Sequence, residues 1–277
     1  MNICVLTIPY DSGHYRVRMG SGPGRLFEFG PKPLFTRLGH NFKHAEITVS
    51  DSHPAEIKTA FALNCAVADR LRTAQSEGYF PIVLSGNCNI AVGAISGCGS
   101  QNTGVVWFDA HGESTTPETT SSGFLDGMGI SILTGQRWRK LAHTIPGFVP
   151  VLGNRILLVG SRDLEAEETE LLNRVGVTRL LRIEDHRSRV ASLAQRVDGV
   201  YLHLDLDVLD PDEAIANQWT PAGGLSVETV KQVMKSIQEN TRIKGLGIGS
   251  YDPELDRDGR ALGAAMSMAE SLLGTAI

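Results

Sequence analysis

The sequence predicts one α/β domain over residues 1–277, three layers deep, with a mostly parallel eight-stranded sheet and helices on both faces. Three observations predict it. Short apolar, β-branched runs alternate with longer amphipathic stretches along the chain, and parallel neighbours require such crossover connections. Several short runs are apolar at every position, as strands covered on both sides are. The composition, 42% hydrophobic and 21% charged over 277 residues, is that of a globular protein able to bury roughly three-quarters of its unfolded surface. No linker or internal repeat interrupts the pattern.

Taken in order, residues 2–8 form the first apolar run, and 42–48 and 80–84 read as the next two strands. Between them, 54–77 is helical, because Ile57, Ala60, Phe61, Cys65, Ala68 and Leu71 recur at mostly three- and four-residue spacing. Strands follow at 104–108, 155–160, 178–182, 199–204 and 242–249. Helices are expected at 166–175, 186–196, 226–239 and 263–273, with Ser226 placed to cap the third of these.

The charge balance narrows the partners. With 26 Lys and Arg against 31 Asp and Glu the formal charge is −5, and the basic residues are scattered, so neither nucleic acid nor an anionic membrane is an expected partner. The first residues lack a positive leader, no apolar run reaches the ~18 residues of a membrane span, and a cytoplasmic location is expected. The four cysteines, Cys4, Cys65, Cys88 and Cys98, lack the density of a disulfide framework and are expected as thiols. Cys4, Cys65 and Cys98 read as core residues.

In a doubly wound sheet the ligand lies outside the carboxyl ends of the strands. Two strand ends are rich in polar residues: Asp109-Ala110-His111-Gly112-Glu113 and Asp205-Leu206-Asp207-Val208-Leu209-Asp210-Pro211. On extended backbone, alternating positions point to one side, so Asp109, His111 and Glu113 are expected to share a pocket with Asp205 and Asp207. Packed without a cation, so many carboxylates would have their pKa values driven upward, whereas divalent metals hold them ionised. The donors suit Mn²⁺, Fe²⁺, Ni²⁺ or Zn²⁺ better than Ca²⁺, with Mn²⁺ the natural choice for an oxygen-rich pair. Two metals sharing bridging carboxylates activate water near neutral pH. The bland alternative is solvation of a sheet edge, and two such segments directly after apolar strands weigh against it.

These segments resemble the arginase family of ureohydrolases, where Asp109 to Glu113 stands for Asp-Ala-His-x-Asp and Asp205 to Pro211 for Asp-x-Asp-x-x-Asp-Pro. Ser85-Gly86-Asn87-Cys88-Asn89-Ile90-Ala91 resembles the family's Gly-Gly-Asp-His-Ser-Ile-Ala, and Ser250-Tyr251-Asp252-Pro253 its Glu-Val-Asn-Pro. Both of these depart at the functional position. Gly22-Pro23 with Leu26 resembles an early Gly-Pro helix start, a turn into a helix rather than a phosphate cradle. The resemblance implies an arginase-like fold and two Mn²⁺, with Asp109 and Asp205 as bridges and His111 and Asp207 completing one shell. Cys88 and Glu113 would complete the other, where the family has His and Asp. A thiolate is a good ligand once the metal deprotonates it; a small buried hydrophobe is the other common use of a free cysteine.

The same resemblance addresses the substrate. Residues 114–127 align without gaps to the arginase loop that holds the amino-acid head group, which implies Thr115 and Ser122 near the substrate carboxylate. Arg162-Asp163-Leu164-Glu165 resembles Arg-Asp-Val-Asp and implies Glu165 as partner of the α-amino group; the hydroxyls would serve equally as turn caps. Asp126 falls where arginases have a proton-shuttling His, and Ser250 where they have the Glu that pairs with the guanidinium. Losing that Glu costs a guanidinium cation about 1.5–3 kcal/mol, so a less basic N-hydroxyguanidine is the expected substrate. The altered positions are most similar to those of the hydroxyarginine amidinohydrolases of D-cycloserine biosynthesis. That implies cleavage of Nω-hydroxy-L-arginine to hydroxyurea and L-ornithine, with Glu113 as proton shuttle and Asp126 assisting.

Two alternatives stand beside this reading: a single-metal Zn amide hydrolase on Asp109, His111 and Asp207, like the related deacetylases, and a non-catalytic ligand-binding member. The remaining histidines have no ligand spacing; His203, inside a buried strand, reads as a satisfied core histidine. Trp107 and Trp219 read as packing near the site. The chain ends at Ile277, soon after its last helix and without the longer tail that arginases use between subunits, so a monomer is expected.

Overall fold

The computed structural model describes residues 1–49 and 55–274. Eight strands, numbered here for the main sheet, are β1 (Asn2–Ile8), β2 (Asn41–Glu46), β3 (Phe80–Ser85), β4 (Thr103–Phe108), β5 (Ile156–Val159), β6 (Thr178–Leu180), β7 (Gly199–Asp205) and β8 (Ile243–Gly249). They hydrogen-bond in the order β2-β1-β3-β8-β7-β4-β5-β6, and every neighbouring pair is parallel. The eight-stranded parallel sheet is thus the one expected. The helices are α1 (Gly22–Phe29), α2 (Pro31–Leu38), α3 (Glu56–Ser76), α4 (Ala91–Gly97), α5 (Gly129–Leu133), α6 (Arg139–Ala142), α7 (Ala166–Val175), α8 (His186–Ala194), α9 (Val227–Asn240) and α10 (Arg260–Leu273).

Strand alternation sorts the core into two layers. Ile3 and Val5 of β1 join one cluster with Leu26 of α1, Phe35 of α2, Val190 of α8, Val230 of α9 and Ala265 of α10. Cys4, Leu6 and Ile8, one position out of phase, join the other with Val67 of α3, Ile95 of α4, Ile130 of α5 and Leu172 of α7. Side chains on a strand alternate faces, so a sheet covered on both sides is apolar at both phases. Each fully buried Val, Leu or Ile contributes about 1.5–3 kcal/mol of burial.

The expected strands and long helices agree with these bounds within a few residues. Ser226 caps α9, its Oγ accepting from Thr229 N–H at 3.1 Å, and Gly22 opens α1 with Pro at its start. The expected helix start at Pro54, and His53, lie outside the described residues. Helices α2, α4, α5 and α6 had no sequence expectation. All but α2 run seven residues or fewer, and α4 and α5 are buried at every position, so no amphipathic stripe marks them. Cys4 and Cys98 are core residues, whereas Cys65 is half-buried, its Sγ 3.5 Å from the Thr144 carbonyl oxygen.

Two expectations are corrected. His203 is buried, but neither ring nitrogen has a hydrogen-bond partner, because its ring packs against Trp107 at 4.2 Å, tilted by 47°, and faces glycine backbone. Burial pushes its pKa down to about 3, so it is a neutral, unsatisfied core histidine. Trp107 does more than pack, since its Nε1 donates to Asp109 Oδ2 at 2.8 Å.

Register brings the candidate segments together. Phe108 pairs with Leu204, so Asp109 follows level with Asp205; Gly249 pairs with Asp205, which sets Ser250 one residue beyond it. Between β3 and the Cys88 turn, Gly86 lies so close to the first loop that a Cβ would sit 2.2 Å from Tyr10 O. Gly86→Ala should therefore lower stability by about 2–3 kcal/mol through overpacking, read as a fall in the urea midpoint; an unchanged midpoint would show that the loop yields freely.

Candidate metal centre

The four strand ends β3, β8, β7 and β4 are consecutive in the sheet, and each delivers one part of the site. Asp205 ends β7 and its Oδ1 accepts the Asp207 N–H at 2.9 Å, capping the 3₁₀ turn Leu206–Val208. Asp109 follows β4, and its Oδ1 accepts the His111 N–H at 2.7 Å. These aspartates therefore fold their own i+2 neighbours inward through side-chain turns. Extended alternation was the expected device, and the turns replace it because both strands end at or before the first aspartate.

Two groups of donors result, each with ligand atoms within 4.8 Å of one another: Cys88, Asp109 and Asp205, and Asp109, His111 and Asp207. Asp109 belongs to both. Cys88 Sγ lies 2.7 Å from Asp205 Oδ2 and 3.2 Å from Ser250 Oγ. His111 Nδ1 stands 3.3 Å from Asp109 Oδ1 and 3.4 Å from Asp207 Oδ2. Glu113 lines the same cavity but stands outside both groups, its buried Oε2 without a partner. Glu113 and Ser250 both take left-handed backbone, φ +49° and +60°, a strain that non-glycine residues hold where the surroundings over-determine it.

The electrostatics ask for cations. Burial, then the charges of Asp207 and Asp109, pushes the Asp205 carboxyl well above its usual range. Burial, then Asp109 and Asp126, does the same to Glu113, and burial followed by Asp207 raises Asp109. For Asp207, burial is outweighed by His111 and the Ala110 N–H, and its pKa is lowered. One imidazole satisfies one carboxylate and leaves the others uncompensated. The Cys88 thiol is pushed far up by burial and then by Asp205. An orphaned Glu113 oxygen and a buried set of carboxylate, imidazole and thiol donors fit a pair of divalent metals, which would lower all these values together.

The donors open onto a cavity of about 170 Å³. Thr115, Ser122 and Asp126 line it, as do Asp205 and Asp207. Thr115 Oγ1 donates to Gly127 O at 2.7 Å, and Ser122 Oγ accepts from Phe124 N–H at 3.2 Å, so both hydroxyls also fix turns. Asp126 is held by Asn87 Nδ2 at 2.7 Å and Asn89 N–H at 2.9 Å. Burial first, then the charges of Asp11 and Glu56, raises its pKa to about 8 against those bonds. Glu165 is exposed and is not among the lining residues; its Oε1 accepts from Ser121 Oγ at 2.8 Å beside the loop.

Several residues at the site escaped sequence reasoning. Glu168 lines the cavity and accepts the Ser114 N–H at 3.0 Å and the Glu165 N–H at 3.2 Å; its spacing from Glu165 carries a capping signal. Asn217 donates to Asp207 Oδ2 at 3.3 Å and Ser250 O at 2.9 Å, and nothing in its local sequence marks it. Among the described residues no helix is long and apolar enough to cross a membrane.

The arginase family's sequence model matches residues 1–274. The arginase of Bacillus caldovelox is 28% identical over 298 aligned residues, covering 98% of each chain. Its solved structure is similar to this one with a TM-score of 0.89 at 25% identity, covering 100% of this chain and 99% of that one. The solved arginase of Bacillus subtilis matches with a TM-score of 0.90 at 26% identity over 100% of both chains. Eight parallel strands that gather an Asp-His-Asp group and a Cys-Asp-Asp group at their carboxyl ends, matched over the whole described length, make this chain a member of the arginase family, the metal-dependent ureohydrolases.

Proposed function

We propose that the protein is a two-metal amidinohydrolase that cleaves Nω-hydroxy-L-arginine to hydroxyurea and L-ornithine, with Mn²⁺ as the resident metal. The observation that carries the substrate choice is Ser250. It is buried, its hydroxyl is turned to Cys88 and Asp205, and no carboxylate is left at that position to pair with a guanidinium. A hydroxyguanidine is less basic than a guanidine and loses less from that absence.

Asp109, Asp205, His111, Asp207 and Cys88 would hold the metals, and Glu113 would complete the Cys88 side after a rotation of its free carboxyl. A divalent pair there supplies activation of water and polarisation of the guanidino carbon. Glu113, on the cavity wall with Oε2 unpartnered, would relay the proton released by the activated water to the departing nitrogen of L-ornithine as the carbon–nitrogen bond breaks. Asp126, whose pKa burial raises to about 8, would assist from the cavity wall. Ser122 would receive the substrate carboxylate, with Thr115 once its hydroxyl turns from Gly127 O, and Glu165, beside the loop outside the cavity lining, would meet the α-amino group where the head group reaches solvent.

Ornithine release from Nω-hydroxy-L-arginine and L-arginine by the Mn²⁺-loaded protein tests this. The missing contact predicts a kcat/KM about 10- to 100-fold higher for the hydroxylated compound; equal rates or a preference for L-arginine would sink the assignment. The intact Asp109, His111 and Asp207 group favours a second reading, a single-metal amide hydrolase, which predicts one Zn²⁺ per chain and turnover of acetylated amines.

A further inference from the structure

Two aromatic side chains stand at the mouth of the cavity, and the hydrolytic chemistry above uses neither. Phe124 lies on the loop that follows Glu113, and Trp219 on the loop that follows Asp207, so they arrive from different strands. Both line the cavity, and their rings meet edge to face with centroids 5.5 Å apart and planes at 75°, a favoured geometry for aromatic pairs. Trp219 nonetheless remains 44% exposed, whereas Asp205 and Asp207 are 4% and 2% exposed. The rings therefore lie towards solvent and the carboxylates at the floor.

The position of Trp219 is built. Its backbone N–H donates to Asn217 Oδ1 at 2.8 Å, and the same buried Asn217 reaches Asp207 and Ser250 through Nδ2. Thr220 Oγ1 adds a bond to Asn217 O at 3.0 Å. The Trp219 backbone is thus tied through one amide to the Asp207 carboxylate and to the residue that stands in the guanidinium-pairing position. With Met19, which is buried against the same cavity, the two rings give an otherwise acidic cleft one apolar wall. With the guanidino head at the carboxylate floor, what such a wall complements is the methylene chain that leads from it towards solvent.

We propose that Trp219, braced by Phe124, is a specificity-determining residue that packs on the methylene chain of a guanidino amino acid and so selects substrates with several methylenes between the guanidino carbon and the head group. This rests on the guanidino-hydrolase reading and deepens it. Each fully buried methylene contributes about fourfold to binding; an indole on one face of a three-carbon chain supplies about half of that free energy, so its loss should weaken binding about tenfold.

The test compares wild type, Trp219→Ala and Trp219→Phe on Nω-hydroxy-L-arginine and on N-hydroxyguanidine, which has no chain. Trp219→Ala should raise KM for the amino acid about tenfold, keep its kcat within about twofold and leave N-hydroxyguanidine unaffected, while Trp219→Phe recovers most of the loss. A second readout needs no turnover. Trp107 is buried and Trp138 half-buried, so iodide should quench chiefly Trp219, and saturating L-ornithine should shield it in wild type with no such component in Trp219→Phe. Equal losses on both substrates would make Trp219 a brace of the metal loop, and an unchanged KM or absence of shielding would remove it from the substrate path; either overturns the proposal. If wild type turns over neither compound, the substrate assignment falls, and shielding by L-ornithine still decides the role of Trp219.

Discussion

Asp205→Asn should reduce turnover by at least ~10³-fold and cut the metal content of the purified protein to one ion per chain or fewer. Asp205 sits 2.7 Å from the Cys88 thiol, in the donor group that also holds Asp109. The amide keeps an oxygen able to accept the Asp207 N–H, which Asp205 Oδ1 now binds, so the local turn survives while the anionic donor is lost. The sign of the stability change separates an electrostatic role from a structural one. Burial and the neighbouring charges raise the Asp205 pKa in the metal-free protein, and removing the charge relieves that repulsion. The metal-free variant should therefore melt at or above the wild-type Tm, and added Mn²⁺ should raise Tm in wild type but little in the variant. A variant that loses Tm without metal, yet still binds two ions, would show that Asp205 serves the fold alone.

Cys88→Ala should weaken the second metal at least ~100-fold while leaving the first in place, whereas Cys88→His should restore a stoichiometry of two. Cys88 is 1% exposed and belongs only to the group that lacks His111, so its loss strips one site selectively. Charge-transfer absorption gives a direct check: Co²⁺-loaded wild type should show a near-ultraviolet thiolate band that Cys88→Ala lacks. The pH dependence follows from the raised thiol pKa. Burial and Asp205 hold the thiol protonated, so the metal must displace a proton, and affinity at this site should fall about tenfold for each pH unit lowered. Two ions retained with undiminished affinity in Cys88→Ala, and no thiolate band in wild type, would return Cys88 to the core as an ordinary buried cysteine.

Much of this arrangement is legible in the one-dimensional pattern. The strands were visible because a sheet covered on both faces is apolar at both phases, as Val105, Val106, Trp107 and Phe108 are. The metal segments were visible because they abut those runs directly. What stayed hidden depends on contacts far apart in sequence. Helices α4 and α5 are short and buried throughout, so periodicity is silent on them. Asn217 is 33 residues from Ser250 yet donates to its carbonyl oxygen, and Asn87 reaches Asp126 across 39.

By itself, then, the sequence determined the layered parallel sheet and the strand ends where candidate donors collect, because strand burial and strand-end chemistry are local properties of short segments. Only the tertiary structure decided how those donors divide into two groups sharing Asp109, that Ser250 turns its hydroxyl to Cys88 and Asp205, and that Phe124 meets Trp219 over the cavity. Those outcomes depend on strand order and register, which set consecutive strand ends side by side, and on side-chain turns that redirect Asp207 and His111 where the extended backbone ends.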